Sequence, residues 1–477
     1  MKNSAILAAK MWRHGGAVTR HRRAAAKKVL LSHSVFASPL CRVALRCVSA
    51  FILLFAMMAR VGAQGTSDVY VIRNARIVTV SGPEIESGSL VIRGGKIDTV
   101  GANVTAPPGA TEIDGRGLSV YPGMIDAGTA LGLVEIGSIA ATVDSNEVGD
   151  MNPNAQAIVA INPHSAHVRV TRVGGITSVA TLPGGGIISG QAALINLDGT
   201  TPREMAVLPS AALVIDFPRV STTAGGGPFF GPPQPVNITE AIRTRDRRLD
   251  DLRKILQDAE AYARAQDAYA RDKKLPRPAT NVALAALVPF VRGERPVILR
   301  ADREQEIRAA VHFAEEMKLR PIILGGNDAW RVADLLKQHN VPVILTGVLD
   351  LPRLEDDFYD SLYANAARLQ QAGVRFCIST GDTGAQVRDL PFHAGMAAAF
   401  GLPRAEALKA VTLYPAQIMN VADRLGSIEP GKIANIVVTD GDLLEARTKI
   451  RYLFINGRQI PLVSRHTELY EQFKDRR

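Results

Sequence analysis

The chain has 477 residues, 47% of them hydrophobic and 21% charged, values that exclude wholesale disorder, a collagen-like repeat and a coiled coil. This length suits two or three domains or one large α/β barrel with attachments. A formal net charge of +10 would fit a polyanion or a membrane surface. However, residues 1–63 hold 11 of the 56 Lys and Arg and no Asp or Glu, leaving 45 basic against 46 acidic side chains elsewhere, a net of −1. The basicity belongs to this leader, and no nucleic-acid partner is expected.

The leader reads as a signal segment spanning 1–63. Its basic stretch precedes an apolar run from Cys47 to Ala59, followed by the small residues Val61-Gly62-Ala63, the order of an export signal cleaved near Ala63. The run is shorter than the roughly 20 residues of a membrane span. A periplasmic or extracellular protein is expected, with an organelle transit peptide or an uncleaved anchor as alternatives. Cys41 and Cys47 leave with the leader, and Cys377 alone supports neither an internal disulfide nor a thiolate zinc site.

After the leader, Val69–Val80, Ser89–Arg93, Lys96–Val100 and Leu118–Tyr121 alternate apolar and polar residues, with Gly94-Gly95 at a hairpin turn. Similar runs return at Gly431–Val438 and Ile450–Arg458. Each end is too small for its own core, so 64–121 and 424–463 are expected to pair as one composite β domain, a small β-sandwich. Between them, Met124–Ala127, Ile176–Leu182, Pro296–Leu299, Pro321–Leu324, Pro342–Leu345 and Val374–Ser379 are strand-like and alternate with amphipathic helices such as Arg303–Leu319. This α/β rhythm over 122–423 predicts a (β/α)8 TIM-like barrel, with an open doubly wound sheet as the alternative. A Gly/Pro-rich stretch, Ser221–Asn237, and a charged helix, Thr239–Arg271, form an insertion at about 221–280, read as a lid or a subunit contact. Residues 464–477 form a tail.

The segment Val120-Tyr121-Pro122-Gly123-Met124-Ile125-Asp126-Ala127-Gly128-Thr129-Ala130 resembles the first barrel strand of the amidohydrolase superfamily, particularly its imidazolonepropionase-like branch. There a Pro-Gly pair, two apolar residues and Asp-x-His-x-His stand in that order. Ala405–Ile418 and Arg424–Asn435 resemble the same family's last helices and its re-entry into the β domain. The resemblance implies a hydrolase of non-peptide C–N bonds, of cyclic amide or N-acyl type. In that family, His residues after strands one, five and six and an Asp after strand eight hold one or two divalent ions, which lower the pKa of bound water to about 7.

This sequence departs from that pattern. Gly128 and Ala130 stand at the first-strand His positions, Arg300 follows the fifth-strand run and Gly325 the sixth, while Asp382 keeps the last position as the candidate proton-transfer residue. The two-metal mechanism is therefore not expected, and a single divalent metal, zinc or similar, stays open. Among the remaining histidines, His312 and His339 fall on helices, His466 lies in the tail, and His164 and His167 open a helix. His393, in the loop after Asp382, is the remaining candidate for proton transfer or ligand contact. Arg300 has two readings: a guanidinium for a ligand carboxylate or phosphate, or a partner of Asp302 or Asp382 filling the vacated metal volume. The loop Pro183–Ala192 lacks the Lys-Ser/Thr of a phosphate loop and is read as a barrel-mouth loop, with Ser189 and Gln191, alongside Thr129, as ligand contacts. The alternative to a hydrolase is a non-catalytic ligand-binding protein or partner subunit, acting on a small molecule as a homo-oligomer or paired with a related amidohydrolase.

Overall fold

In the computed structural model, residues 69–224, 232–352, 355 and 357–476 are described. Residues 1–63, where an export signal is expected, and part of the Gly/Pro-rich stretch lie outside them. The chain begins with β1 (Tyr70–Ile77), β2 (Ile85–Arg93), β3 (Lys96–Gly101), β4 (Thr111–Asp114) and β5 (Ser119–Pro122). Gly94 and Gly95, at φ 58° and 80°, supply the left-handed pair of a two-residue turn, so β2 folds back on β3 with Arg93 opposite Lys96.

The barrel strands follow: β6 (Met124–Thr129), β7 (Ile176–Thr181), β8 (Ile188–Asn196) and β9 (Ala206–Asp216). After a small hairpin of β10 (Thr223–Ala224) and β11 (Gln234–Pro235) come β12 (Val297–Ala301), β13 (Pro321–Gly325), β14 (Val343–Leu345) and β15 (Phe376–Ile378). The chain closes with β16 (Ile436–Thr439), β17 (Ile450–Ile455) and β18 (Arg458–Gln459).

Both ends of the chain contribute to one eight-stranded sheet, ordered β18-β17-β16-β5-β1-β2-β3 with β4 alongside β1. β16 runs antiparallel to β5, Ile436 opposite Pro122, so the last strands return to where the first ones end. The second sheet runs β15-β14-β13-β12-β9-β8-β7-β6, a nearly closed barrel-like sheet whose first and last strands meet through side chains rather than a ladder.

One feature corrects the expected βα rhythm. β8 is antiparallel to both β7 and β9, so two hairpins replace helical crossovers, and the stretch read as a loop from Pro183 to Ala192 is half strand. β8 is buried along its whole length, and a strand covered on both faces shows no alternation to read. Its glycine is also misleading. Gly190 sits at φ 132°, and a Cβ there would lie 2.9 Å from the Ala155 carbonyl oxygen, a close approach rather than a loop.

The helices follow their periodicity. The long helix Ile238–Arg271 is capped by Asn237, whose Oδ1 accepts from Thr239 N at 2.9 Å. It buries Leu252, Leu256, Ala259 and Ala263. Helix Glu304–Glu316 buries Ile307, Ala310, Val311 and Ala314, the three-and-four spacing of one face. The barrel interior is apolar, with Ile125, Ala127, Leu194, Val214, Ile298, Leu324 and Ile344 in one buried cluster.

Candidate active site

The C-terminal ends of the parallel strands open on a pocket of about 250 Å³. Gly128, Thr129 and Ala130 from the end of β6, Leu182, Gly184 and Gly185 from the β7–β8 turn, Ser189 from β8, Asp216 from β9, Arg300 from β12, and Gly381 and Thr383 beyond β15 line it, with Ser145. Sites of this fold form at this end, where loops from several strands converge.

Below the mouth, Asp126 is fully buried. Its carboxylate accepts from Gly128 N at 3.1 Å, Thr380 N at 3.1 Å and Thr380 Oγ1 at 2.6 Å, and from Ser379 Oγ. Four donors from both edges of the sheet satisfy one buried charge and tie β6 to the segment after β15. Thr129 adds to this seam: its Oγ1 donates to the Asp382 carbonyl at 2.6 Å.

Gly128 lies close against the side chains around it. A Cβ there would lie 2.8 Å from Leu324 Cδ1, 2.9 Å from Ser379 Oγ and 3.3 Å from Ile344 Cγ2. Two aliphatic side-chain ends and a serine hydroxyl would have to shift to admit a larger residue. Gly325, at φ 108°, packs so tightly that a Cβ would strike the Asp302 carboxylate. Among the described residues, no three His, Cys, Asp or Glu side chains group to hold a metal ion.

Asp382, read from the sequence as the proton-transfer residue, also anchors a turn. Its Oδ1 accepts from Gly384 N at 2.8 Å and Gln386 N at 3.3 Å, fixing the turn beyond β15. No ion pair joins Asp382 to Arg300 among the described residues, and Arg300 lines the pocket beside Gly128 and Ala130. Arg300 donates from Nη2 to the Pro183 carbonyl at 3.1 Å. Burial pulls its pKa below the guanidinium's ordinary value, while Asp216 and Asp302 act in the opposite direction.

Gln191 lies outside the pocket lining. It is buried, donates Nε2 to the Pro153 carbonyl at 2.9 Å and accepts from Ser210 Oγ at 2.5 Å, a structural clamp on the β8–β9 hairpin. His393 sits within helix Leu390–Ala399 rather than in a loop. Its ring is buried with Nδ1 unpartnered, and burial lowers its pKa against the pull of Asp126, Asp389, Asp350 and Asp382. Among the other histidines, His167 Nε2 lies 2.9 Å from the Glu135 carbonyl, and His312 packs edge-on to His339. Sequence reasoning passed over Asp126 and Asp216. Asp126 was legible as the Asp of the Pro-Gly motif, whereas Asp216 has no signal beyond ending a strand.

The Amidohydrolase family model matches residues 301–460, which run from the last residue of β12 through β13, β14 and β15 to the returning β strands. An amidohydrolase from Thermotoga maritima has the same fold, with a TM-score of 0.72 and 24% identity over 82% of this chain and 99% of that one. Residues 301–460 thus match the amidohydrolase family, and the likeness to the Thermotoga maritima structure is one of fold. Among curated amidohydrolase relatives, the amidohydrolase tasK of Hapsidospora irregularis is 27% identical over 403 residues, 78% of this chain and 39% of its own length. The adenine deaminase of Desulforamulus reducens is 26% identical over 416 residues, 86% of this chain and 60% of its own length. The chain thus spans less than two thirds of both relatives. In this barrel, the positions that the resemblance assigns to metal-binding histidines are those held by Gly128, Ala130, Arg300 and Gly325.

Proposed function

We propose that this amidohydrolase-superfamily protein binds a small molecule in the barrel-mouth pocket without the two-metal hydrolysis that its resemblance implies. The observation that carries this reading is the packing at Gly128, where Leu324, Ile344 and Ser379 occupy the volume that a metal-binding side chain would enter. The residues present do not fit a metal pair: four ligand positions lack a suitable donor, and the remaining carboxylate, Asp382, is engaged by two backbone amides. A pocket lined by the half-buried Arg300 and the buried Ser189 hydroxyl persists above that centre.

The alternative is hydrolysis of a non-peptide C–N bond, of cyclic amide or N-acyl type, with a single metal at Asp382. Its support is the amidohydrolase and adenine deaminase names of the relatives. Elemental analysis of the full-length protein, expressed with zinc and manganese supplied, separates the two. The expected result is metal far below one ion per chain, unchanged in Asp382→Ala. Near-stoichiometric metal that disappears in that variant overturns the ligand-binding reading and supports hydrolysis.

Two structural proposals accompany this one. The sheet built from both chain ends forms a small β-sandwich around Ile72, Leu90, Ile436 and Phe454, supported by their burial in one apolar cluster. Residues 1–63 direct export, supported by the apolar run and the Val61-Gly62-Ala63 pattern. An exported form whose N-terminus is Gln64 is expected, and a protein retaining residues 1–63 in the cytoplasm would rule export out.

A further inference from the structure

A second cavity, of about 370 Å³, lies against helix Ala166–Arg172 and shares no lining residue with the barrel-mouth pocket. Its volume is that of a small-molecule site, roughly 300–1,000 Å³. Ser165, Arg169 and Arg172 line it from positions four and three apart, one stripe of the helix. His164 joins them, and Leu197 and Gly199 come from the segment after β8. Every ionisable residue in the lining is basic.

The carboxylates nearby do not balance this wall. Arg172 Nη1 lies 3.2 Å from Asp198 Oδ1, but the other oxygen of Asp198 meets Arg458 at 2.5 Å. Arg169 reaches Glu468, on the C-terminal helix Arg465–Phe473, at 3.3 Å. Among the described residues, these three guanidinium groups therefore ion-pair with two carboxylates, which leaves one positive charge in excess.

Arg172 carries the cost of that excess. Its side chain is 16% exposed. Nη1 is spent on the Leu197 carbonyl and Asp198, while Nε is buried with no hydrogen-bond partner. Burial pulls its pKa below the guanidinium's ordinary value, with Asp198 opposing that pull and Arg169 adding to it. A cation withdrawn from water and only partly answered is costly until an anion meets it. Two arginines and an imidazole offer donors from several directions, which suits the three acceptor oxygens of a phosphate group better than the two of a carboxylate.

We propose that this cavity is an anion site separate from the barrel mouth, binding a phosphate group, free or carried by a small monoester, between Arg169, Arg172 and His164. It does not depend on what the barrel-mouth pocket binds.

Equilibrium dialysis of the full-length protein at a constant ionic strength of about 0.15 M tests this with inorganic phosphate, glycerol 3-phosphate and, as the neutral control, glycerol. Phosphate is expected to bind saturably, one per chain, with a Kd of about 1 mM or less, and glycerol not to bind. The tighter of the two phosphates identifies the source as the free ion or a monoester. Arg169→Gln and Arg172→Lys should each weaken binding at least about tenfold, the loss associated with one hydrogen bond to a charged group. Arg172→Lys keeps a cation beside Asp198 while removing the planar fork, and thermal unfolding without phosphate shows whether each variant is folded.

A measurement on the wild type does not depend on any variant. Saturating phosphate should slow the modification of Arg169 by phenylglyoxal, located by peptide mass spectrometry, at least about threefold, the protection given by a ligand that occupies most of its sites. Arg264, 70% exposed on the long helix, should be unaffected. No saturable binding up to about 10 mM, binding that neither folded variant weakens, or equal protection of Arg169 and Arg264 overturns the proposal.

Discussion

Asp126 and Thr380 lie 254 positions apart in sequence, yet Thr380 Oγ1 donates to Asp126 Oδ2 at 2.6 Å and Thr380 N donates to the same oxygen at 3.1 Å. Together with Ser379, this contact joins the two edges of the barrel sheet where no ladder connects them. A buried carboxylate with four donors stabilises the seam only while every donor is answered.

Replacing Asp126 by Ala removes the acceptor and strands the amides of Gly128 and Thr380 and two hydroxyls in a dry site. We expect destabilisation of about 3–5 kcal/mol, read as a lower urea midpoint. Thr380→Val, which removes one hydroxyl and leaves the amide bond, should cost about 1 kcal/mol. Equal losses in the two variants would show that the carboxylate is not the organising group.

Restoring the family's residues should not restore a metal site. Gly128→His places a side chain against Leu324 and Ser379 and should cost about 1–3 kcal/mol through overpacking, without raising the zinc content found by elemental analysis. Adding Leu324→Ala opens space but leaves Arg300 beside the site. Zinc bound stoichiometrically by Gly128→His alone would show that the apolar filling yields easily.

Arg300 is held in the wall at a desolvation cost, so Arg300→Met should leave stability unchanged or raise it by about 1 kcal/mol while weakening ligand binding. Thermal unfolding without ligand reads the first effect. A large loss of stability would instead assign Arg300 a structural role through Pro183.

His393 sets a pH dependence. Burial lowers its folded-state pKa below the ordinary 6.5, so below that value the unfolded chain binds the proton more readily than the folded one. Its contribution to stability is therefore full above about pH 6.5 and declines as pH falls toward the depressed value. Urea midpoints at pH 7.5 and 5.5 should differ more for the wild type than for His393→Phe. An identical pH response in the two would remove His393 from this role.

Glu429 acts at lower pH and more weakly. Hydrogen bonds from Ser427, Ser81 and Lys432 hold its pKa at about 2 against an ordinary 4.5. Its contribution is present above 4.5 and is lost as pH falls toward 2. The group is 44% exposed, so solvent screens much of the effect. The gap in urea midpoint between wild type and Glu429→Gln should shrink from pH 6 to pH 3. A gap that does not change with pH would mean the carboxylate charge contributes nothing.

Local patterns in the sequence determined much of the frame. Lys96 begins β3 and Pro321 begins β13 where alternation and apolar runs place them, because register and strand identity there depend on neighbouring residues. The family likeness was legible in Pro122-Gly123 and Asp126, and the absence of ligand atoms at Gly128 and Ala130 needs no structure to see. Only the tertiary structure decided that β8 runs against its neighbours, because a strand buried on both faces carries no periodic signature of its direction. It also decided that Leu324 packs against Gly128, and that Ser189 faces a cavity without a partner. These are contacts between strands far apart in sequence, set by packing that no local pattern records.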